Sequence, residues 1–340
     1  MNAMQLLAPA PVESAPLRAA DLPIPEPAAG ELLVRVRACG VCHTDLHVAE
    51  GDLTPSKMPI VPGHQVVGVV EKLGPGATGF KLGDRVGIAW LRWTCGLCRF
   101  CNSGNENLCE RAKFTGLDAD GGYAQFACVP ADFAYPIPEG YRDHETAPLL
   151  CAGIVGYRAL RRCGVRPGGP STNAQGRRLG LYGFGASAHI VLQIARHWKC
   201  EVYVFTRAER HRKLALELGA AWVGRAEEEP PHKLDSAISF APAGALVPEM
   251  LRALDKGGTA ALAGIAMSAT PPLDYRRHLY HEKTLTSVAN ATRQDGRELL
   301  ALAREMRIET RTEQFPLSEA NRALRMVKES RIEASAVLMI

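Results

Sequence analysis

The 340-residue sequence is poor in the features that mark membrane, secreted and nucleic-acid-binding chains. No window reaches the roughly 20 consecutive apolar residues that a bilayer-crossing helix requires. The N-terminus has no charged head followed by an apolar core, which removes the expectation of secretion and, with it, of disulfides. Charge imbalance is also missing, since 40 basic and 36 acidic residues leave a net +4. No basic run is interleaved with aromatics, so nothing argues for a nucleic-acid partner. These absences leave a soluble, cytoplasmic protein with neither membrane nor nucleic acid as partner, and the length suits two domains.

Cysteine, by contrast, is plentiful, with ten residues. The densest chemistry lies in Gly40-Val41-Cys42-His43-Thr44-Asp45-Leu46-His47, where a thiol, two imidazoles, a hydroxyl and a carboxylate fall within six residues. Cys and His are preferred ligands of a borderline-soft ion such as Zn²⁺. Alone, the stretch reads equally as a partly buried Cys beside surface histidines. Further donors follow, however. His64, in Pro62-Gly63-His64-Gln65, stands where a loop enters the apolar run Val66 to Val70, and Cys151 opens the helical pattern that runs to Leu160. A helix N-terminus favours the thiolate at Cys151. Cys42, His64 and Cys151 supply two sulfurs and one nitrogen, and three protein ligands leave a fourth position open, as catalytic zinc requires.

A second set is more compact. Cys95, Cys98 and Cys101 are separated by two residues each, and Cys109 completes four thiols in one short loop. That spacing suits a closed tetrahedral zinc site, with an Fe–S cluster as the smaller alternative and a disulfide pair disfavoured in a reducing compartment. The four other cysteines, Cys39, Cys128, Cys163 and Cys200, read as small buried apolar residues.

Up to about residue 150 the pattern is one of short β-branched runs broken by Gly and Pro, among them Leu32 to Val36, Val66 to Val70 and Phe126 to Val129. A loop-like stretch follows from Arg166 to Arg178. The next segment alternates strand and helix: Leu179 to Tyr182, the turn Gly183-Phe184-Gly185-Ala186-Ser187-Ala188, a helix over Ile190 to Trp198, then a strand over Glu201 to Thr206. A G-x-G-x-x-A turn between strand and helix lets backbone approach a pyrophosphate at the helix N-terminus, so Gly183, Gly185 and Ala188 are expected to bind a dinucleotide. With Ser236 to Phe240 and Thr259 to Ile265 continuing the pattern, a Rossmann doubly wound parallel sheet is expected over 153–295. The second strand ends without the carboxylate that usually holds a ribose 2′-hydroxyl. Thr206 leaves room for a 2′-phosphate and Arg207 can pair with it, which favours NADP(H), with NAD(H) as the alternative.

The ordered set of Gly40 to Asp45, Gly63-His64, the Cys95/Cys98/Cys101/Cys109 lobe, Gly83-Asp84-Arg85-Val86, Gly121-Gly122-Tyr123-Ala124, Cys151-Ala152-Gly153 and the glycine-rich turn resembles the zinc-containing alcohol dehydrogenases of the medium-chain dehydrogenase/reductase superfamily. The resemblance implies a two-domain α/β chain: a GroES-like, mostly β catalytic domain over 1–152 with 296–340, and the cofactor domain between them. It also implies one catalytic and one structural zinc, and reversible hydride transfer between a primary alcohol or its aldehyde and NAD(P). Thr44 would take the alcohol proton and pass it, through the nicotinamide ribose, to His47. Asp45 would hydrogen-bond His64, and His43 would lie near the cofactor phosphates. Leu53 and Trp90 would line the substrate pocket, with core packing the alternative for both. A homodimer or homotetramer paired through cofactor-domain edges follows from the same likeness.

The sequence departs from the family pattern at Gln65, where relatives often carry Glu, and at Ser335, where many carry a cofactor-contacting Arg. A polyol dehydrogenase of the same superfamily, or a non-catalytic zinc protein that binds nucleotide, are the competing readings. Polyol enzymes commonly place a carboxylate where Cys151 stands.

Overall fold

The computed structural model describes residues 1–167 and 176–340, so most of the loop expected from Arg166 to Arg178 lies outside the described residues. Two compact units divide the chain, Met1–Cys151 with Asn290–Ile340, and Ala152–Ala289. Among the described residues no helix is long and apolar enough to cross a membrane.

The first unit is organised on the strand Glu31–Val41. Val34, Val36 and Ala38 point into the core while Arg35 and Arg37 point out, the two-residue period of a strand with one wet face. Beyond Ala38 both faces are covered, and Cys39, Gly40 and Val41 are all buried. The seven-stranded sheet runs Thr312–Pro316, Ser335–Met339, Glu31–Val41, Gln65–Leu73, Arg85–Ile88 and Ala134–Pro136, with Phe126–Pro130 paired to the first half of Glu31–Val41. Residues after 290 therefore supply two strands of the same sheet that the N-terminal segment builds. Glu31–Val41 and Gln65–Leu73 are antiparallel in a register that sets Gly40 opposite Gln65. That register fixes the site: the residue just past one strand, Cys42, and the residue just before the other, His64, must emerge side by side.

Cys95 to Cys109 form a lobe beside a short pair of strands, Leu91–Trp93 and Lys113–Phe114. Glu106, inside that lobe and buried, ties it to the C-terminal segment. Its carboxylate accepts from the Arg293 backbone N–H at 2.8 Å, from Arg293 Nε at 3.0 Å and from Nη2 at 2.6 Å. The guanidinium also lies 4.3 Å from the Phe133 ring centroid.

The second unit carries six parallel strands in the order Trp222–Gly224, Glu201–Phe205, Arg178–Tyr182, Leu234–Ser239, Leu254–Leu262, Thr284–Ser287. Numbered along the chain this is 3-2-1-4-5-6, the Rossmann order with its reversal beside the first strand. Sequence reading anticipated four of these strands. Trp222–Gly224 is too short to announce itself, and the last strand, Thr284–Ser287, is hardly longer. Tyr182 and Phe205, opposite each other in register, stack at 4.1 Å and 7° and close the carboxyl end of the first two strands.

The Glu106 pair yields a stability prediction. Glu106→Ala leaves Arg293 without its partner in a half-buried setting, which should cost about 2 kcal/mol, less than a fully buried pair because Arg293 keeps some solvent. Urea unfolding checks this, and an unchanged midpoint would show the pair to be idle.

Candidate active site and metal centres

Cys42 caps the helix His43–Glu50. Its sulfur accepts the Thr44 N–H at 3.4 Å, and its own N–H donates to Asp45 Oδ2 at 3.0 Å. The other Asp45 oxygen lies 3.0 Å from His64 Nδ1. One buried carboxylate thus ties the backbone of one metal-ligand candidate to the ring of the next. With Nδ1–H donated to Asp45, the lone pair of Nε2 is left free, and Nε2 faces Cys42 Sγ at 3.5 Å. Cys151 joins them, all three donor atoms lying within 4.8 Å of one another. Tetrahedral coordination with usual zinc–sulfur and zinc–nitrogen lengths sets such a sulfur and nitrogen ~3.6 Å apart, so the Cys42–His64 spacing suits a zinc ion, with the Cys151 sulfur close to both.

The turn that presents His64 is braced from one side. Gly121 N–H donates to Val61 O at 2.7 Å, Gly122 N–H to Gly63 O at 2.9 Å and Tyr123 N–H to Pro62 O at 3.0 Å. Gly63 has φ +98°, and a Cβ there would fall 2.4 Å from the Tyr123 ring, so only glycine fits. His64 itself is fully buried, with its ring edge against Trp90 at 5.0 Å.

The electrostatics match metal binding. A hydrogen bond with Cys151 holds Cys42 well below the usual thiol range, with His64 and Thr44 adding to this against burial, and Cys151 is correspondingly raised. The depression expected at Cys151 from its place before a helix therefore falls on Cys42. Burial alone would push His64 down, but Asp45 and Cys42 outweigh it and raise the imidazole to about 10. An entering cation displaces that proton, so affinity falls as pH falls.

In the lobe all four sulfurs lie within 4.8 Å of one another, with Cys98 to Cys101 at 3.5 Å and Cys95 to Cys101 at 3.9 Å. A ZnS₄ tetrahedron has edges of about 3.8 Å, whereas a disulfide holds its sulfurs near 2 Å. Among the described residues no cysteine is in a disulfide. Convergence on one point fits a single ion better than a cluster whose sulfurs are spread over several irons. The Leu97 N–H, then the Arg111 guanidinium, lower Cys95 to about 5. Of the four remaining cysteines, Cys39, Cys163 and Cys200 are buried, while Cys128 is half-buried.

The glycine-rich turn caps the helix Ala186–His197. Gly183 has φ +82° and its N–H donates to Phe205 O at 2.9 Å, and a Cβ there would meet Ala241 at 3.0 Å. At Gly185 a Cβ would meet nothing within 4 Å, leaving that side free for a ligand, while Ala188 is buried at the helix start. Thr206 follows the second strand, buried, and Arg207 next to it is exposed; Arg212 Nε donates to Thr206 O at 3.1 Å.

Thr44 is buried, and His47, three residues on and on the same side of the helix, is half-buried. His43 is exposed at the first turn. Trp90 lies between His64 and Phe114, stacking on the latter at 5.0 Å and 17°, and Leu53 packs half-buried on the same core. Gln65 is buried, and Ser335, buried at the start of the terminal strand, has a side-chain oxygen without a partner. Sequence reading missed Phe114, which lies outside every motif, and Asp52, whose carboxylate lies 2.8 Å from His47 Nδ1.

Asp45→Asn keeps the shape but loses the carboxylate that both Cys42 and His64 use. Zinc affinity at this centre, measured by chelator competition, should fall 10- to 100-fold.

Comparison with known proteins agrees along the whole chain. Residues 28–139 match the alcohol dehydrogenase GroES-like domain and residues 188–305 the zinc-binding dehydrogenase family. A probable alcohol dehydrogenase, AdhA, of Mycobacterium tuberculosis is 51% identical over 345 residues, covering 100% of this chain and 97% of that protein. An alcohol dehydrogenase of Geobacillus stearothermophilus is 34% identical, covering 96% of each. The structure of a cobalt- and zinc-bound thermostable alcohol dehydrogenase from Pyrobaculum aerophilum superposes with a TM-score of 0.88 at 27% identity, over 100% of this chain and 99% of that one. The chain belongs to the zinc-containing alcohol dehydrogenases of the medium-chain dehydrogenase/reductase superfamily, oxidoreductases that use zinc and a nicotinamide cofactor.

Proposed function

We propose that this chain interconverts primary alcohols and aldehydes by hydride exchange with NAD(P)(H), using a catalytic zinc held by Cys42, His64 and Cys151. The observation that carries this reading is that three-donor centre, one ligand short of a tetrahedron, with a hydroxyl and an imidazole on the helix that its first ligand caps. When bound, zinc supplies Lewis-acid polarisation of the alcohol oxygen. The Thr44 hydroxyl accepts the alcohol proton as it gives up its own, and His47 holds the proton so released before it reaches solvent. Asp45 fixes the His64 tautomer, keeping Nε2 toward the ion. Trp90, set by Phe114 on one face, and Leu53 present apolar surface to the substrate carbon chain.

A second zinc in the Cys95/Cys98/Cys101/Cys109 lobe has a structural role, since four thiols leave no open position. The dinucleotide lies on the Gly183 to Ala188 turn, and His43 serves its phosphates. Thr206 and Arg207 support NADP(H) over NAD(H): no carboxylate repels a 2′-phosphate there, and the exposed guanidinium can pair with one. The edge strand Thr284–Ser287 offers open backbone for pairing with a second copy, which supports a homodimer or a homotetramer built from it. The absence of disulfides among the described cysteines suits a reducing cytoplasm.

Initial rates on a panel of primary alcohols and aldehydes, with both cofactors in parallel, test the reading. Wild type should carry two zinc ions per chain and turn over, and Cys42→Ala should carry one and lose turnover. Arg207→Ala should lower kcat/KM for NADP(H) by about 10- to 100-fold, the loss of a charge-assisted contact, and leave NAD(H) nearly unchanged. Faster oxidation of sorbitol than of simple alcohols would point to the polyol reading, and zinc without turnover on the whole panel to a binding protein.

A further inference from the structure

The helix His43–Glu50 ends in a way that aims one side chain back at it. The His47 carbonyl accepts two N–H groups, from Gly51 and from Leu53, each at 3.1 Å. Gly51 takes the left-handed conformation that stops the helix. Asp52, held between those two anchored residues, has its carboxylate returned to the His47 ring, Oδ2 lying 2.8 Å from Nδ1. The His47 side chain is 18% exposed and that of Asp52 is 60% exposed, so the pair spans from the half-buried ring to solvent.

We infer that Asp52 is a positioning residue for His47: its carboxylate accepts the Nδ1–H and so keeps Nε2 free to accept a proton. This rests on the reading of His47 as the group that holds the alcohol proton. An exposed carboxylate–imidazole pair adds little to folding stability. The choice between two ring nitrogens is nevertheless decided by differences of that size, and the hydrogen bond at one nitrogen selects the role of the other. The backbone anchoring on either side of Asp52 means that little side-chain freedom has to be lost to make the contact. The proton balance is simple. Nε2 gains the proton that leaves the alcohol, Nδ1 keeps its own against Asp52, and Nε2 later returns its proton to solvent.

The experiment is nitrogen-15 NMR of the zinc-loaded protein, reading the two-bond couplings of the imidazole rings, with the His47 signals assigned by their absence in His47→Gln. Wild type should show neutral His47 protonated at Nδ1. Asp52→Ala, an exposed change in a surface turn, should fold normally and shift the ring to the Nε2–H form or to a mixture. Alcohol kcat should fall about two- to fivefold, with cofactor KM within about twofold, as expected for an exposed pair. A wild-type ring protonated at Nε2, or a tautomer unmoved in Asp52→Ala, would overturn the inference. The spectrum needs no turnover, so the two readings fail separately. If His47→Gln turns over like wild type while the tautomer responds to Asp52, the proton-holding role of His47 is wrong and the pairing stands.

Discussion

The carboxylate of Asp45 is the point on which the candidate catalytic centre turns. A buried carboxylate is costly unless its oxygens are used, and here each has its own donor: the Cys42 N–H on Oδ2 and His64 Nδ1 on Oδ1. Those two contacts belong to different ends of the chain's local architecture, one to a helix cap and the other to the entry of a neighbouring strand. Asp45 therefore does for Cys42 and His64 what the Gly40–Gln65 register does for the strands: it makes their closeness a property of the backbone. Removing the carboxylate would leave an N–H and an imidazole nitrogen buried together without a common acceptor, which is why its effect should reach the ion.

The two candidate metal centres are assembled on different scales. Four lobe thiols come from one loop, and turns within it already aim N–H groups at sulfur, as at Cys98 to Cys95 at 3.3 Å. The Cys42, His64 and Cys151 donors are far apart in sequence and meet only when the sheet has formed and Cys151 has been carried into place by the buried Leu149 and Leu150. Ion binding at the lobe would thus be close to a local event, while binding at the Cys42, His64 and Cys151 donors would draw on the folding of the whole first unit. The Glu106–Arg293 contact links the two scales, because it ties the locally organised loop to the segment that returns to complete the sheet.

Much of this was readable in the residues. Cys, His and Gly at fixed spacings are local statements, and the seven thiol and imidazole donors meet as two groups because few other residue types suit that chemistry. The Rossmann alternation was equally plain, since strand and helix periods differ. What stayed hidden depends on register and turn geometry. Phe114 matters only because a short antiparallel pair sets Leu91 opposite it and brings its ring onto Trp90. Glu106 looks like any loop carboxylate until Arg293, 187 residues away, arrives. The redistribution of charge from Cys151 to Cys42 is likewise invisible in sequence, because a helix start predicts a lowered thiol but says nothing of a second thiol donating a hydrogen bond.

The helix His43–Glu50 explains why so much function fits into eight residues. Its first turn needs partners for free N–H groups, and the Cys42 sulfur at the cap accepts one from Thr44 while keeping lone pairs that an ion could use. Its third residue, Asp45, reaches back to that cap, as residues at this place in a helix do, and has an oxygen to spare for His64. Thr44 and His47 then fall one turn apart on one side. At the far end the carbonyl of His47 is itself a helix-terminal acceptor, and satisfying it folds Asp52 against the ring. Each functional contact answers a demand that the ends of any helix make, so the chemistry adds little to what the backbone already requires.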